Sequence, residues 1–293
     1  MSSASERRPE PSSWRVAGAS AVVRRTVKVA SAAADRLRPD VAGVVILLYH
    51  RVGGGSSLEI DLDAARFDEQ IAAIAASGRA VSLGTALDQL GAPGAPATGS
   101  SVVVTFDDGT ADFAEIALPI LVRHGVPATL YVATGFVEGG VSFPGGGRAV
   151  SWSALSDACA TGLIDIGSHS HMHLLFDRIP PSQAADDLDR SVELIGERLG
   201  VEARDFAYPK AVPARPDVVP LVRERFRSAA LAGTRVNPFR SAPRGTDPYR
   251  LARSPIQVSD GMKFFERKLA GGMGLEDSFR RVVNRVRYAR AVT

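Results

Sequence analysis

The chain alternates short apolar runs with longer segments in which apolar residues recur every three or four positions. Residues 44–48 and 102–104 are continuous runs dominated by branched apolar side chains, the pattern of strands buried on both faces. Residues 128–133, 164–166 and 206–208 extend the series. Between them, helical spacing covers 67–76 (Ile71, Ile74), 112–123 (Ile116, Ile120), 152–161 and 182–199, the last with Leu188, Val192 and Ile195 inward and Gly200 beyond its end. Residues 91–100 and the glycine-rich 139–147 read as loops. The second is exposed and is no phosphate cradle, because no Lys-Ser/Thr follows it and no helix opens directly after it. Strand and helix alternate without internal repeats, which predicts an α/β chain built on a parallel barrel.

The two ends differ from this centre. Residues 1–13 are polar and proline-containing, the composition of a disordered segment. Residues 14–38 mix Val and Ala with Arg15, Arg24, Arg25, Lys28, Arg36 and Arg38, and residues 279–291 carry Arg280, Arg281, Arg285, Arg287 and Arg290. Each basic segment reads either as a helix lying on an anionic membrane surface or as a solvated arm packed loosely on the domain. No segment approaches the ~20 apolar residues that span a bilayer. The N-terminal apolar stretch is broken by Arg24, Arg25 and Lys28 and shows no clear small-residue cleavage site, so the expectation is a cytoplasmic protein, peripheral at the inner membrane face if the basic helices bind there.

Composition narrows the classes. The 293 residues are 45% apolar and 23% charged, ordinary for a soluble globular chain. A formal charge of +3, with no basic stripe interleaved with aromatics, argues against a nucleic-acid partner. The single cysteine, Cys159, excludes an internal disulfide and reads as a buried thiol.

Two stretches carry candidate chemistry. The run at 102–104 continues as Thr105-Phe106-Asp107-Asp108-Gly109, placing two carboxylates at the C-terminal end of a parallel strand, where such folds put their chemistry. Adjacent strand residues point opposite ways, so both carboxylates reach one site only if the chain turns, as Gly109 permits. An Asp-Gly turn capping the next helix would explain this pair equally well. The second stretch, Ile164-Asp165-Ile166-Gly167-Ser168-His169-Ser170-His171-Met172-His173, holds three of the five histidines. His169 and His173 are four apart, so one helical turn would place both imidazoles on one face, although His171 could replace His169. Two imidazoles and one carboxylate form the three-ligand site of a catalytic zinc.

Taken together, Thr-Phe-Asp-Asp-Gly at 105–109 and His-Ser-x-x-His at 169–173 resemble carbohydrate esterase family 4, the polysaccharide deacetylases with a NodB-type domain. The likeness runs from about Val44 to about Val258 and includes Leu48-Tyr49-His50-Arg51-Val52, Trp152 and Phe206-Ala207-Tyr208-Pro209. At its start the chain is similar to the poly-N-acetylglucosamine deacetylases. The resemblance implies a distorted, incomplete (β/α) barrel, seven-stranded and TIM-like, over residues 43–260, flanked by a basic N-terminal arm (1–42) and a basic C-terminal tail (261–293). It implies a divalent metal, zinc first, on Asp108, His169 and His173. Asp107, adjacent and free of the metal, is then the natural general base. In the family, an oxyanion-binding N–H follows the motif proline, which maps onto Lys210, so the resemblance implies Tyr208, Pro209 and Lys210 as the oxyanion- and substrate-facing residues.

The sequence departs from the family in two places. The third motif often reads Arg-x-Pro-Tyr, the arginine orienting the base; here it is Ala207-Tyr208-Pro209-Lys210. The late histidine that usually serves as general acid is absent, because none follows His173. Either the site is degraded or another group supplies the acid. His50 is the best substitute, with a capping or core role as its alternative: it ends the first strand on the face where Asp107 opens, and poly-N-acetylglucosamine deacetylases place a catalytic histidine in that motif. The activity implied is removal of an N-acetyl group from an amino sugar. The alternatives are a deacetylase or deformylase of a small or lipid-linked sugar, and a non-catalytic glycan-binding protein on the same fold.

Overall fold

The computed structural model describes residues 17–37, 41–92, 99–143, 145–239 and 245–289. The expectations for residues 1–13 and for Arg15, Arg38 and Arg290 lie outside the described residues, as does most of the 91–100 loop. In chain order the elements are α1 (Ala17–Ala34), β1 (Gly43–Tyr49), β2 (Arg51–Val52), β3 (Asp61–Leu62), α2 (Ala64–Ala76), α3 (Leu83–Gly91), β4 (Ser100–Phe106), α4 (Leu118–His124) and β5 (Ala128–Val132). Then come α5 (Thr134–Gly139), α6 (Trp152–Ala160), β6 (Ile164–Ser168), α7 (Pro181–Leu199), β7 (Asp205–Ala207), α8 (Val219–Arg225) and β8 (Ser228–Ala232). The chain ends with β9 (Asn237–Pro238), β10 (Leu251–Pro255), α9 (Gly261–Leu269) and α10 (Gly274–Ala289).

Strands β1, β4, β5, β6, β7, β8 and β10 lie side by side in parallel, and β10 pairs back onto β1, so seven strands close a barrel one short of eight. The ring is uneven. β6 and β7 share a single register pair, Ser168 with Phe206, and the closing seam pairs only Ile46–Leu48 with Arg253–Pro255. Below that seam Asn237 fills the gap, donating from its amide to the carbonyls of Val44 (3.2 Å) and Ala252 (2.9 Å) and accepting from Ala252 N–H (2.8 Å). Gly43 is required there, since a Cβ would sit 2.1 Å from the Asn237 carbonyl oxygen.

Strand parity sorts the side chains. Val45, Leu47 and Tyr49, with Val102, Val104 and Phe106, face outward and pack under α2, α4 and α6. Tyr49, Phe67, Phe106 and Phe113 form a ring cluster with centroids 4.9–5.7 Å apart, pairs worth about 0.5–1.5 kcal/mol each beyond the area they bury. Val44, Ile46, Val103, Tyr131, Ala207, Ala230 and Leu251 face inward, and Leu83, Ala86 and Leu90 of α3 pack on them, stoppering the N-terminal end. The opposite end is left for chemistry.

The helix expected over 112–123 opens instead with a π-turn, Phe113–Ala117. Asp112, just before it, accepts Val52 N–H at 2.7 Å. The expected exposed loop at 139–147 is tethered at two points: Phe143 stacks on Phe136 (4.3 Å), and Gly145 accepts from Arg51 (3.2 Å).

The two terminal helices dock on the barrel's flank around buried charge. Lys28 of α1 donates to Asp260 and, at 2.6 Å, to Glu276 of α10; Lys268 of α9 donates to Asp260 (2.9 Å) and to the carbonyl of Pro255 at the end of β10 (2.8 Å). Burial opposes the Lys28 charge, but Asp260 and Glu276 outweigh it and raise its pKa; burial likewise opposes the Asp260 charge, and Lys268 with Lys28 outweighs it and lowers that pKa. The basic segment 14–38 is thus not wholly solvated, because its Lys28 is 1% exposed.

Asp260 serves two lysines, so Asp260→Ala leaves both cations undercompensated, whereas Lys28→Ala leaves each carboxylate near Lys268. Asp260→Ala is expected to lower unfolding stability by about 3–5 kcal/mol, and Lys28→Ala by less, as read from urea titrations. A carboxylate with a depressed pKa stabilises fully above its unfolded value and a lysine with a raised pKa fully below its own. The cluster's contribution should therefore hold from about pH 4 to about pH 10 and fall away outside that window.

Candidate active site

Every side chain of the site hangs from the C-terminal rim of the barrel, and parity decides which point in. Thr105 faces inward on β4, and Asp107 continues that face. Asp107 N–H donates to Tyr49 O (3.1 Å), extending the β1–β4 ladder by one step. The chain then turns through two consecutive left-handed residues, Asp108 (φ 74°) and Gly109 (φ 94°). A strand continuation would have sent the Asp108 carboxylate outward; the turn brings it beside Asp107. Asp is among the few non-glycine residues that adopt this conformation at modest cost.

His169 follows β6, where Asp165 and Gly167 occupy the inward face. Its Nδ1–H donates to the carbonyl of Ala207 (2.8 Å), which fixes the tautomer and leaves Nε2 as the free donor atom. The expected helical turn from His169 to His173 is not formed. Ser168 ends the strand, and the chain coils through left-handed Ser170 (φ 67°) and His173 (φ 54°). Asp187 of α7 holds this loop, accepting the N–H groups of His171 (2.9 Å) and Met172 (2.8 Å). The His169 and His173 rings end 4.9 Å apart, and each Nε2 lies 3.5 Å from the same oxygen of Asp108.

One donor atom each from Asp108, His169 and His173 therefore falls within 4.8 Å of the others, the only such three-donor group among the described residues. The fixed His169 tautomer suits a metal. So does His173, whose pKa burial and the neighbouring His169 push down to about 3, leaving the ring neutral. His171 stands apart, its Nδ1 3.0 Å from the Thr134 hydroxyl.

The counter-ion of Asp107 is a residue that the sequence reading missed. Arg253 of β10, fully buried, forms a two-pronged pair with Asp107: one guanidinium nitrogen 2.5 Å from Oδ1, the other 2.8 Å from Oδ2. Burial alone would raise the Asp107 pKa, but Arg253 and then His169 outweigh it and hold it at about 2. Arg253 also lies over the Tyr131 ring (5.1 Å), in room left by Gly167, where a Cβ would stand 2.6 Å from that ring. The available signal was a lone arginine in the short run Leu251-Ala252-Arg253-Ser254-Pro255.

The remaining predicted residues divide. His50 follows β1 on the inward parity of Ile46 and Leu48. Its Nδ1 is buried with no hydrogen-bond partner, and its pKa is lowered by burial, against the pull of Asp108 and Asp107. Pro209 is buried; Lys210 is exposed, in left-handed backbone (φ 54°), and its charge reaches His173. Tyr208 does not fit the substrate-facing position expected of it. Its ring stands edge-on to Phe206 (5.0 Å) among Val218 and Val222, in the layer outside the barrel.

Residues 94–219 match the family model described as polysaccharide deacetylase. That span contains Asp107, Asp108, His169, His173 and Lys210 but neither His50 nor Arg253. No curated protein matches the chain in sequence. Among solved structures, IcaB from Ammonifex degensii is similar at 25% identity and a TM-score of 0.65, over 79% of this chain and 98% of that one. The Streptococcus pyogenes deacetylase PplD, in complex with acetate, gives 18% identity and 0.65 over 78% and 98%. The deacetylase domain of BpsB from Bordetella bronchiseptica gives 17% and 0.58 over 75% and 98%; these last two likenesses bear on the fold alone.

Removing Arg253 would leave the Asp107 carboxylate buried without its counter-ion. Arg253→Met is expected to destabilise the protein by about 3–5 kcal/mol in urea unfolding. Arg253→Lys should recover part of that loss but not all, because an ammonium cannot reproduce the two-pronged contact.

Proposed function

We propose that this chain, whose residues 94–219 match the polysaccharide deacetylase model, hydrolyses the N-acetyl group of an amino sugar with metal assistance and Asp107 as general base. One observation carries this reading. Asp107 is an ionised carboxylate clamped by Arg253, 3.8 Å from His169 and next to Asp108, yet outside the three-donor group. When bound, a divalent ion at Asp108, His169 and His173 supplies Lewis acidity, lowering the pKa of a water and polarising a carbonyl. Two imidazoles and a carboxylate with a position to spare favour zinc.

The chain's own residues do the rest. Asp107 accepts a proton from the attacking water as oxygen adds to the acetyl carbon. A carboxylate held at about 2 is a weak base, so Arg253 secures ionisation and orientation at the expense of basicity. The Lys210 backbone N–H is our assignment for steadying the oxyanion, on the ground of its place directly after the motif proline, Pro209. When the C–N bond breaks, its electron pair stays on nitrogen, and the amine needs a proton to leave. We assign delivery of that proton to His50, on the grounds of its inward position and its unpartnered buried nitrogen; burial favours the neutral ring, so the proton it hands to the amine is the one that Asp107 has taken from the water.

Metal analysis tests the ligand set without any turnover. Purified protein should carry about one divalent ion, and Asp108→Ala, His169→Ala or His173→Ala should each cut occupancy sharply, whereas His171→Ala should not. Full retention of metal in the His173 variant would remove it from the set.

Acetate release from a panel of N-acetylated amino sugars tests the roles. Asp107→Asn should retain metal and lose hydrolysis by about 10²–10⁴-fold. His50→Ala should also retain metal and fall strongly on amides, yet much less on an acetate ester, whose alcohol departs with little proton assistance. Equal losses on amide and ester would point to His50 as a structural or binding residue, and an inactive, metal-loaded wild type would favour the glycan-binding alternative.

A further inference from the structure

The exposed apolar residues of this protein are not scattered. Of the twelve large apolar side chains that stand exposed among the described residues, seven lie on the terminal helices and the turn after α1: Val23, Val29, Leu37, Leu275, Phe279, Val282 and Val283. On α10 the order is strict. Asp277 is buried against the body of the protein, whereas Leu275 (51% exposed), Phe279 (41%) and Val282 (60%) follow at helical spacing on the opposite side. Packing within the fold does not account for that stripe, because it points away from the fold.

Charge follows the same helices. Residues 17–37 and 274–289 together hold eight basic and three acidic side chains, a formal +5, against +3 for the whole chain. The rest of the chain is therefore slightly acidic, and the positive charge is concentrated where the apolar side chains are exposed. Lys28 is consumed internally by Asp260 and Glu276, but Arg25 and Arg36 are exposed and pair with no acid among the described residues. No helix among the described residues is long and apolar enough to cross a membrane.

We propose that the α1–α10 face docks on an anionic phospholipid surface, with Leu275, Phe279 and Val282 entering the headgroup boundary and Arg25 and Arg36 meeting lipid phosphates. A second copy of the chain is disfavoured as occupant, since a self-complementary contact would bring two faces of like charge together. Nucleic acid would satisfy the arginines but leave an apolar stripe against a polar backbone. Residues 1–16 offer only Met1, Trp14 and Val16 as large apolar side chains with which to cover it. This inference is independent of the deacetylase reading, because docking requires no turnover.

Co-sedimentation of the full chain with vesicles is the test, comparing phosphatidylcholine alone with phosphatidylcholine containing phosphatidylglycerol. Binding is expected only with phosphatidylglycerol at low salt, with release as salt approaches about 1 M, where screening shortens to about 3 Å. The double variant Phe279→Ser, Val282→Ser should keep its thermal midpoint, these side chains being exposed, and bind about tenfold more weakly or less. Arg25→Glu with Arg36→Glu should weaken binding without altering the fold. The proposal is overturned by an absence of low-salt binding to phosphatidylglycerol vesicles, by undiminished binding in the apolar double variant, or by a dimer in sedimentation velocity that does not bind vesicles.

Discussion

The pair between Asp107 and Arg253 is the interaction on which the rest of the site depends. It joins the end of β4, the barrel's second strand in chain order, to β10, its last, across 146 positions of sequence, and both partners are buried. A guanidinium and a carboxylate out of water cost more than their mutual attraction returns unless the geometry is good, and here it is two-pronged. The pair thus ties chemistry to closure. Arg253 reaches Asp107 only because β10 pairs with β1, and that seam is three residues long with Asn237 wedged beneath it. A disturbance of the seam would be felt at the carboxylate.

The same economy of space explains the inner wall. Gly167, Ala207 and Ala230 are small where Tyr131 and Arg253 are large, so the barrel interior at that level is filled by one phenol ring and one guanidinium. The Ala207 carbonyl accepts the His169 Nδ1–H, which leaves the other ring nitrogen facing Asp108. Asp107 thus takes its counter-ion from a residue of another strand, and Ala207 positions the His169 ring through its backbone.

A second buried charge cluster, of Lys28, Lys268, Asp260 and Glu276, does for the periphery what Asp107 and Arg253 do for the centre. It anchors on the Pro255 carbonyl, two residues beyond Arg253, so the terminal helices rest on the strand that closes the ring. Docking consumes the side of α10 that bears Asp277 and leaves Leu275, Phe279 and Val282 outward. The terminal helices are at once part of the fold and its most amphipathic surface.

Much of this was legible in the amino-acid order. Apolar runs located β1, β4, β5 and β6, helical spacing located α2, α6 and α7, and strand alternation forecast the parallel barrel, because each of these patterns is local in the chain. Asp107, Asp108, His169 and His173 were legible for the same reason: each pair sits within a few residues at a strand end. Their meeting was anticipated by the wrong route. A helical turn was expected between the histidines, whereas left-handed Ser170 and His173 make the approach, held by Asp187 from the next helix. Tyr208 was assigned by its neighbours in sequence, but parity and the ring cluster around Phe206 turn it out of the barrel. Arg253 could not be assigned at all, since an arginine in a short strand acquires a role only through a register between β1 and β10 that no local pattern encodes. The sequence by itself determined which residues could do chemistry and on which strand ends they stand; ring closure, which brings together residues that are remote in the chain, decided which of them face one another.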